Sequence, residues 1–314
     1  MNVLVTGASG FVGQAVCAQL SRRFNIRAAT RSATTAAGGY AAIATGAINH
    51  TTDWTAALRD QDVVIHLVAR VHVMKDLSRD PLAEFRAVNV AGSLNLARQA
   101  TEAGVKRMIF VSSVKVNGEY SLPGQPFTEE SVPAPSDFYG ASKLEAEIAL
   151  RSLAQETGME LVIIRPPLVY GPGVKANFAA LVRAVKAGWP LPLARVDNQR
   201  SLVGLDNLVS FIETCTLHPQ AAGQTFLVSD GNDLSSPELI RRIAQAAKVP
   251  SRLLPIPVWL LEAGASVLGK REAVRRLCGN LQVDIAKARN LLGWLPPCSV
   301  DEGLRRTLAG GAMQ

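Results

Sequence analysis

Three glycines constrain this chain more than any other feature. They stand at positions 7, 10 and 13, directly after the apolar run Val3-Leu-Val-Thr6 and at the head of an apolar-periodic stretch through Val12, Ala15, Val16 and Leu20. A strand, a glycine turn and a helix in that order form the setting in which such glycines hold a phosphate. Gly7 lets the chain turn off the strand. Gly10 lets backbone N–H groups approach an anion with no Cβ in the way, and Gly13 lets the helix pack closely on the sheet. The positive end of that helix then faces the anion. The spacing is G-x-x-G-x-x-G, and the expected ligand is the pyrophosphate of a dinucleotide.

At 314 residues the chain is long enough to bury a substantial core. With 48% apolar and 19% charged residues it has the composition of a folded globular protein and not of a disordered one. Cys17, Cys215, Cys278 and Cys298 are far apart, and His50, His66, His72 and His218 have no ligand spacing. No metal site is expected, and this cysteine usage fits a reducing cytoplasm. The start of the chain is strand-like from Val3, without the basic and apolar segments of a leader. The net charge of +7 gathers in the second half, where residues 167–314 hold 17 Lys/Arg against 11 Asp/Glu. The cations are scattered and aromatic residues make up only 5%, which favours an anionic small molecule over nucleic acid as partner.

Strand and helix patterns alternate up to residue 166. Ile26–Thr30, Ala41–Ile48, Val63–Val68, Met108–Ser112 and Glu160–Arg165 read as further strands. Asp53–Arg59, Asp80–Ala103 and Phe138–Thr157 read as helices, the second opened by Asp80-Pro81 and ended before Gly104, the third stopped by Gly158. This alternation predicts an α/β fold, a doubly wound parallel sheet of the Rossmann type. From residue 167 the elements shorten. Ala176–Ala187, a strand near Ser201–Val203, a helix from Asp206, a strand at Thr225–Val228, a helix from Ser236 to Lys248 and two or three terminal helices suit a smaller α/β substrate-binding lobe. The expected division is 1–166 and 167–314, with parts that interleave. The apolar run Leu253–Leu268 carries Pro255, Pro257 and Glu262 and is too short and interrupted to span a bilayer. It reads as a buried helix at a lobe or subunit contact.

Tyr139 and Lys143 stand at i and i+4, on one face of the helix that precedes the sixth strand. A free phenol has a pKa of about 10. A cation held nearby stabilises the phenolate and lowers that value, so Tyr139 can take a proton from a hydroxyl while hydride leaves the carbon. Ser113 follows the fifth strand, at the edge where a parallel sheet places its ligands, and can donate to a developing oxyanion. Ser112 points to the opposite face if the strand is still extended there, as a satisfied strand-end hydroxyl.

Thr6-Gly-Ala-Ser-Gly-Phe-Val-Gly13, Val111-Ser-Ser113, Tyr139-x-x-x-Lys143 and Arg165-Pro-Pro-Leu-Val-Tyr-Gly-Pro172 together resemble the extended short-chain dehydrogenase/reductase family. The likeness is to the branch holding the UDP-glucose 4-epimerases and the nucleotide-sugar 4-keto-reductases of surface-polysaccharide pathways. It extends through Asn177-Phe178, Arg200–Asp206 and Asp284–Trp294. The resemblance implies an NAD or NADP cofactor, a UDP-sugar substrate, a homodimer and catalysis by Ser113, Tyr139 and Lys143. It implies cofactor contacts from Gly7, Ser9, Gly10, Phe11, Val12, Gly13, Arg31, Ser32, Tyr139, Lys143 and Pro166, and substrate contacts from Ser113, Asn177 and Arg200. Three positions depart from the epimerase pattern. Arg31 stands where NAD-using epimerases carry an aspartate. Gly46-Ala47 replaces a Gly-Asp, and Pro166-Pro167-Leu168 takes the place of an asparagine. Arg31 can pair with a 2′-phosphate, which favours NADP. The implied reaction is hydride transfer at C4 of a UDP-hexose or UDP-N-acetylhexosamine, either as epimerisation or as NADPH-dependent reduction of a UDP-4-keto-6-deoxy sugar. A non-catalytic NAD(P) sensor is the alternative outside enzymology.

Overall fold

The run before the glycines forms β1 (Asn2–Thr6), third of seven strands in one sheet. The computed structural model describes residues 1–32, 40–71, 80–267 and 271–310. After α1 (Phe11–Leu20), the strands β2 (Asn25–Thr30) and β3 (Ala41–Ala44) extend the sheet to one side of β1. The chain then passes through α2 (Thr55–Leu58) and crosses to β4 (Val63–His66) on the other side. A long helix follows in three parts, α3 (Pro81–Arg86), a π-helical stretch (Ala87–Gly92) and α4 (Ser93–Glu102). Next come β5 (Arg107–Val111), α5 (Phe138–Thr157) and β6 (Glu160–Arg165). All adjacent strands are parallel, with Val3 opposite Ile26 on one side and Val63 on the other. Because the winding reverses between β1 and β4, a crevice opens outside the carboxyl ends of those strands.

Buried β-branched and aliphatic side chains on both faces make these strands, as expected where helices cover a sheet on both sides. Val3, Val5, Ile65 and Ile164 join the core on one face, and Leu4, Val64, Phe110 and Ile163 the core on the other. Helix α5 has clear ends. The Asp137 carboxylate accepts from the Gly140 N–H at 2.7 Å, and Gly158 ends the helix with a left-handed φ of 75°.

The second lobe starts at β7 (Leu168–Tyr170), followed by α6 (Ala176–Lys186) and β8 (Leu202–Gly204), which pairs with β7. Helix α7 (Leu205–Leu217) returns to pack on α1, and β9 (Thr225–Leu227) pairs with β6 as the last strand of the main sheet. Helices α8 (Ser236–Ala246), α9 (Val258–Val267), α10 (Arg271–Cys278), α11 (Ala286–Leu292) and α12 (Val300–Gly310) complete the fold. Tyr170, Phe178, Leu202, Ile240 and Leu304 form a core of their own.

Five local expectations change among the described residues. The third strand ends at Ala44 instead of Ile48, and the strand β7 was not expected after two prolines. The long helix contains a π-helical stretch, and there are four terminal helices, not two or three. The run Leu253–Leu268 is not one buried helix, because its helix begins only at Val258 and exposes Trp259 and Leu260. Among the described residues no helix is long and apolar enough to cross a membrane, and no group of acidic, histidine or cysteine side chains is placed to hold a metal ion.

Candidate active site

The glycine turn forms a cradle that side chains would fill. Gly7 has φ of +70°, and a Cβ on Gly13 would lie 2.1 Å from the Gly7 carbonyl oxygen. The Gly10 N–H closes the turn on that oxygen at 2.9 Å. No side chain caps α1, and the Gln14 N–H turns back to the Gly10 carbonyl, so among the described residues the Phe11, Val12 and Gly13 amides have no protein acceptor and are available to an anion. Ser9 and Gly10 are exposed, Phe11 and Val12 half-buried. The site therefore fits a dinucleotide pyrophosphate. Arg31 and Ser32 stand exposed at the end of β2, where the adenosine ribose of such a ligand lies.

Ser113 and Tyr139 approach each other across the crevice, close enough for the serine hydroxyl to act on the phenol. Strand β5 carries the serine to the sheet edge. There the Val114 N–H donates to the Pro166 carbonyl at 3.0 Å, which ties the turn to the end of β6. Lys143 lies one helical turn beyond Tyr139 and is 1% exposed, its Nζ 4.0 Å from the centre of the Phe110 ring. Burial pushes this ammonium down to about 7, against which the Glu147 carboxylate raises it. Burial likewise pushes the Tyr139 phenol up to about 12, although the Ser113 hydroxyl acts to lower it. The expectation that Lys143 lowers the phenol is not met in this state. Desolvation outweighs it, because each charged form is costly in so dry a setting.

Beneath the pair runs a buried polar chain that sequence patterns did not show. The Ser142 hydroxyl donates to the Tyr139 carbonyl at 2.8 Å and accepts from Asn89 Nδ2 at 2.9 Å. Asn89, carried by the π-helical stretch, also bridges the Arg70 N–H and carbonyl at 2.7 and 3.1 Å. Ser93 donates its one proton to the Asn89 carbonyl at 2.7 Å, so at 2.9 Å His66 Nε2 is the donor to Ser93. His66 Nδ1 then accepts from the Thr6 hydroxyl at 2.6 Å. With both nitrogens used this way the ring is neutral, and burial followed by the Lys143 charge pushes it down to about 3.

A second buried cluster lies behind Ser112. Its hydroxyl donates to Glu147 Oε1 at 2.5 Å, so this serine faces away from Ser113 as the alternation predicts. The Arg165 guanidinium grips the same carboxylate through Nε at 3.0 Å and Nη2 at 2.6 Å, and its Nη1 reaches Asn117 Oδ1 at 3.1 Å. Glu147 is four residues beyond Lys143, and Arg165 ends an otherwise apolar strand. An acid and an arginine on two buried elements are the signal from which the pair was legible.

The expected substrate residues lie in the second lobe. Asn177 is exposed in the first turn of α6, beside Ala176, whose φ of 55° is strained for a residue with a side chain. The main chain of Arg200 bridges Leu234 and Leu281. Its Nη1 donates to the Arg276 and Gly279 carbonyls at 2.8 and 3.0 Å. Among the described residues Nε and Nη2 have no partner and are left for a ligand.

With this geometry in hand, the relatives can be placed. Residues 3–229 match the NAD dependent epimerase/dehydratase family. The chain is 48% identical to the UDP-glucose 4-epimerase of Vibrio cholerae over 98% of its own length and 94% of the other's. It is 29% identical, over 98% and 94% of the two chains, to the N-acetyl-alpha-D-glucosaminyl-diphospho-ditrans,octacis-undecaprenol 4-epimerase of Escherichia coli O157:H7. The crystal structure of UDP-glucose 4-epimerase from Thermotoga maritima with UDP-glucose superposes with a TM-score of 0.78 at 22% identity, covering 99% of both chains, which shows the shared fold.

Proposed function

The chain belongs to the NAD dependent epimerase/dehydratase family, and on that footing we propose that it transfers hydride at C4 of a UDP-linked hexose or N-acetylhexosamine, as a C4 epimerase. One observation carries the reading. The Ser113 and Tyr139 side chains come together at the sheet edge, with buried Lys143 one turn beyond Tyr139 on the same helix and the phosphate cradle at the end of β1 in the same sheet. In this scheme the C4–H bond and the O–H bond of its hydroxyl break, and C4 becomes a carbonyl carbon. Tyr139 takes the hydroxyl proton, and Ser113 donates a hydrogen bond to the oxygen as it gathers charge. The dinucleotide, when bound, supplies the acceptor and donor of the hydride. Lys143 would hold the ribose hydroxyls of the bound dinucleotide, the role that the family resemblance implies for it. In its charged form it stabilises the phenolate that burial alone disfavours. When the keto sugar turns its other face, Tyr139 returns the proton and the C4 epimer leaves. The free Nε and Nη2 of Arg200 suit the UDP diphosphate, since a guanidinium binds phosphate oxygens through two parallel bonds.

Arg31 favours a second reading. No acid stands at the end of β2, and an exposed arginine with Ser32 beside it suits a 2′-phosphate. An NADPH-bound enzyme of this design reduces a UDP-4-keto-6-deoxy sugar in one step. Incubation with UDP-hexoses, UDP-N-acetylhexosamines and 4-keto-6-deoxy UDP-sugars, with and without NADPH, separates the two by product NMR. Epimers formed without net nicotinamide consumption support the first. Stoichiometric NADPH consumption with a 4-keto substrate supports the second. Turnover of neither class contradicts both. Tighter NADPH than NADH binding, reversed in Arg31→Asp, is expected if Arg31 meets a 2′-phosphate, and equal affinities would remove it from that role.

A further inference from the structure

Two exposed tryptophans mark a surface that the chemistry of the crevice does not use. Trp189 is 65% exposed and Trp259 66%, whereas the other two tryptophans, Trp54 and Trp294, are buried. Trp189 follows α6, in the segment that pairs with the chain leading into α9. Leu191 bridges Leu253, and the Leu254 N–H donates to the Leu191 carbonyl at 2.8 Å. Leu253 turns inward, while Arg252 and Leu254 on either side of it are exposed. The Arg252 guanidinium carbon lies 3.8 Å from the place of a Cβ on Gly188, next to Trp189. On α9, Val258 and Leu261 pack on the lobe core, and Trp259, Leu260, Ala263 and Gly264 face outward. These adjoining segments expose two indoles and two leucines, Leu254 and Leu260.

Their charge is one-sided. Residues 183–195 and 248–264 contain five cations, Arg183, Lys186, Arg195, Lys248 and Arg252, against one acid, the half-buried Glu262. All five are exposed, and among the described residues none forms an ion pair. An apolar patch of this kind on a protein surface marks an interaction site. A second copy of the same patch would oppose cation to cation, which disfavours self-association through this face. Tryptophan prefers the boundary between headgroups and hydrocarbon, and unpaired arginine and lysine beside it are drawn to anionic headgroups. We propose that this face of the second lobe docks peripherally on a membrane surface bearing anionic lipids, with Trp189 and Trp259 at the interface and no segment crossing it. The proposal is independent of which UDP-sugar is turned over.

The full chain, incubated with vesicles of mixed phosphatidylglycerol and phosphatidylethanolamine, tests this by sedimentation and by tryptophan emission. Binding with a blue shift of emission is expected, released by high salt and weak on pure phosphatidylcholine vesicles. The emission change reports Trp189 and Trp259, since the other two tryptophans are already buried. Trp259→Ala and Arg252→Glu, both at exposed positions, should each lower the bound fraction by about tenfold or more while leaving turnover of soluble substrate intact. No sedimentation with anionic vesicles, equal binding to phosphatidylcholine, or unaltered binding by both variants would overturn the proposal. So would a wild-type oligomer that Trp259→Ala converts to monomer, because the face would then be covered by a second copy.

Discussion

Two ionic clusters flank the catalytic helix α5, and they differ in nearly every physical respect. Behind Lys143, Glu147 and Arg165 are 1% and 5% exposed, joined by two hydrogen bonds and backed by Ser112 and Asn117. At the mouth of the crevice Lys115 pairs with Asp137 and Glu119, and Glu119 reaches Arg276 of α10 at 3.6 Å. These groups are 13% to 40% exposed. The buried pair cannot relax into water, so it fixes the ends of β5 and β6 against α5 and holds the Glu147 carboxylate near Lys143. The outer cluster is screened by solvent and salt. It links the N-terminus of α5 to the second lobe in a way that can open.

The comparison breaks most sharply at Glu147. Glu147→Ala leaves Arg165 buried without its partner, and a loss of about 3–5 kcal/mol of stability is expected from urea unfolding. A loss below about 1 kcal/mol, the range of exposed pairs, would erase the distinction. Glu147→Gln keeps the shape and removes the charge that raises Lys143. A lysine pushed down to about 7 loses its proton as pH rises through that value. Without the neighbouring carboxylate it does so at lower pH, and the alkaline limb of the kcat/KM profile should move to lower pH. An unmoved limb would detach Glu147 from Lys143. Asp137→Ala removes the cap of α5 as well as a surface ion pair and should cost about 0.5–2 kcal/mol. Lys115→Ala should have the smallest effect, about 0–1 kcal/mol and smaller still at high salt. A large, salt-insensitive loss would show that the outer cluster is as fixed as the buried one.

Much of this arrangement is legible in the residues. Helix α5 and strand β6 run from Phe138 to Thr157 and from Glu160 to Arg165 as the pattern predicts, since Asp137, Gly158 and the apolar run between the strand's ends are local signals. The phosphate cradle is legible for the same reason. The π-helical stretch is not, because one extra residue in a turn leaves apolar periodicity almost unchanged. Nor is the chain from Thr6 through His66, Ser93 and Asn89 to Ser142, whose members come from four separate parts of the sequence and meet through the sheet order. The strand β7 is hidden by Pro166 and Pro167 and by its length of three residues. Trp259 was assigned to a buried helix because apolar composition does not tell an inward face from an outward one.

The claim on which the rest depends is that Tyr139 carries the proton while hydride leaves C4. Rapid mixing of protein loaded with oxidised dinucleotide and an accepted UDP-hexose, followed by the absorbance of reduced nicotinamide, tests it directly. Wild type should show a transient reduced cofactor. Folded Tyr139→Phe with unchanged dinucleotide affinity should form it slower by about 10²–10⁴, the reach of general acid–base catalysis. Reduction at the wild-type rate in that variant would contradict the account.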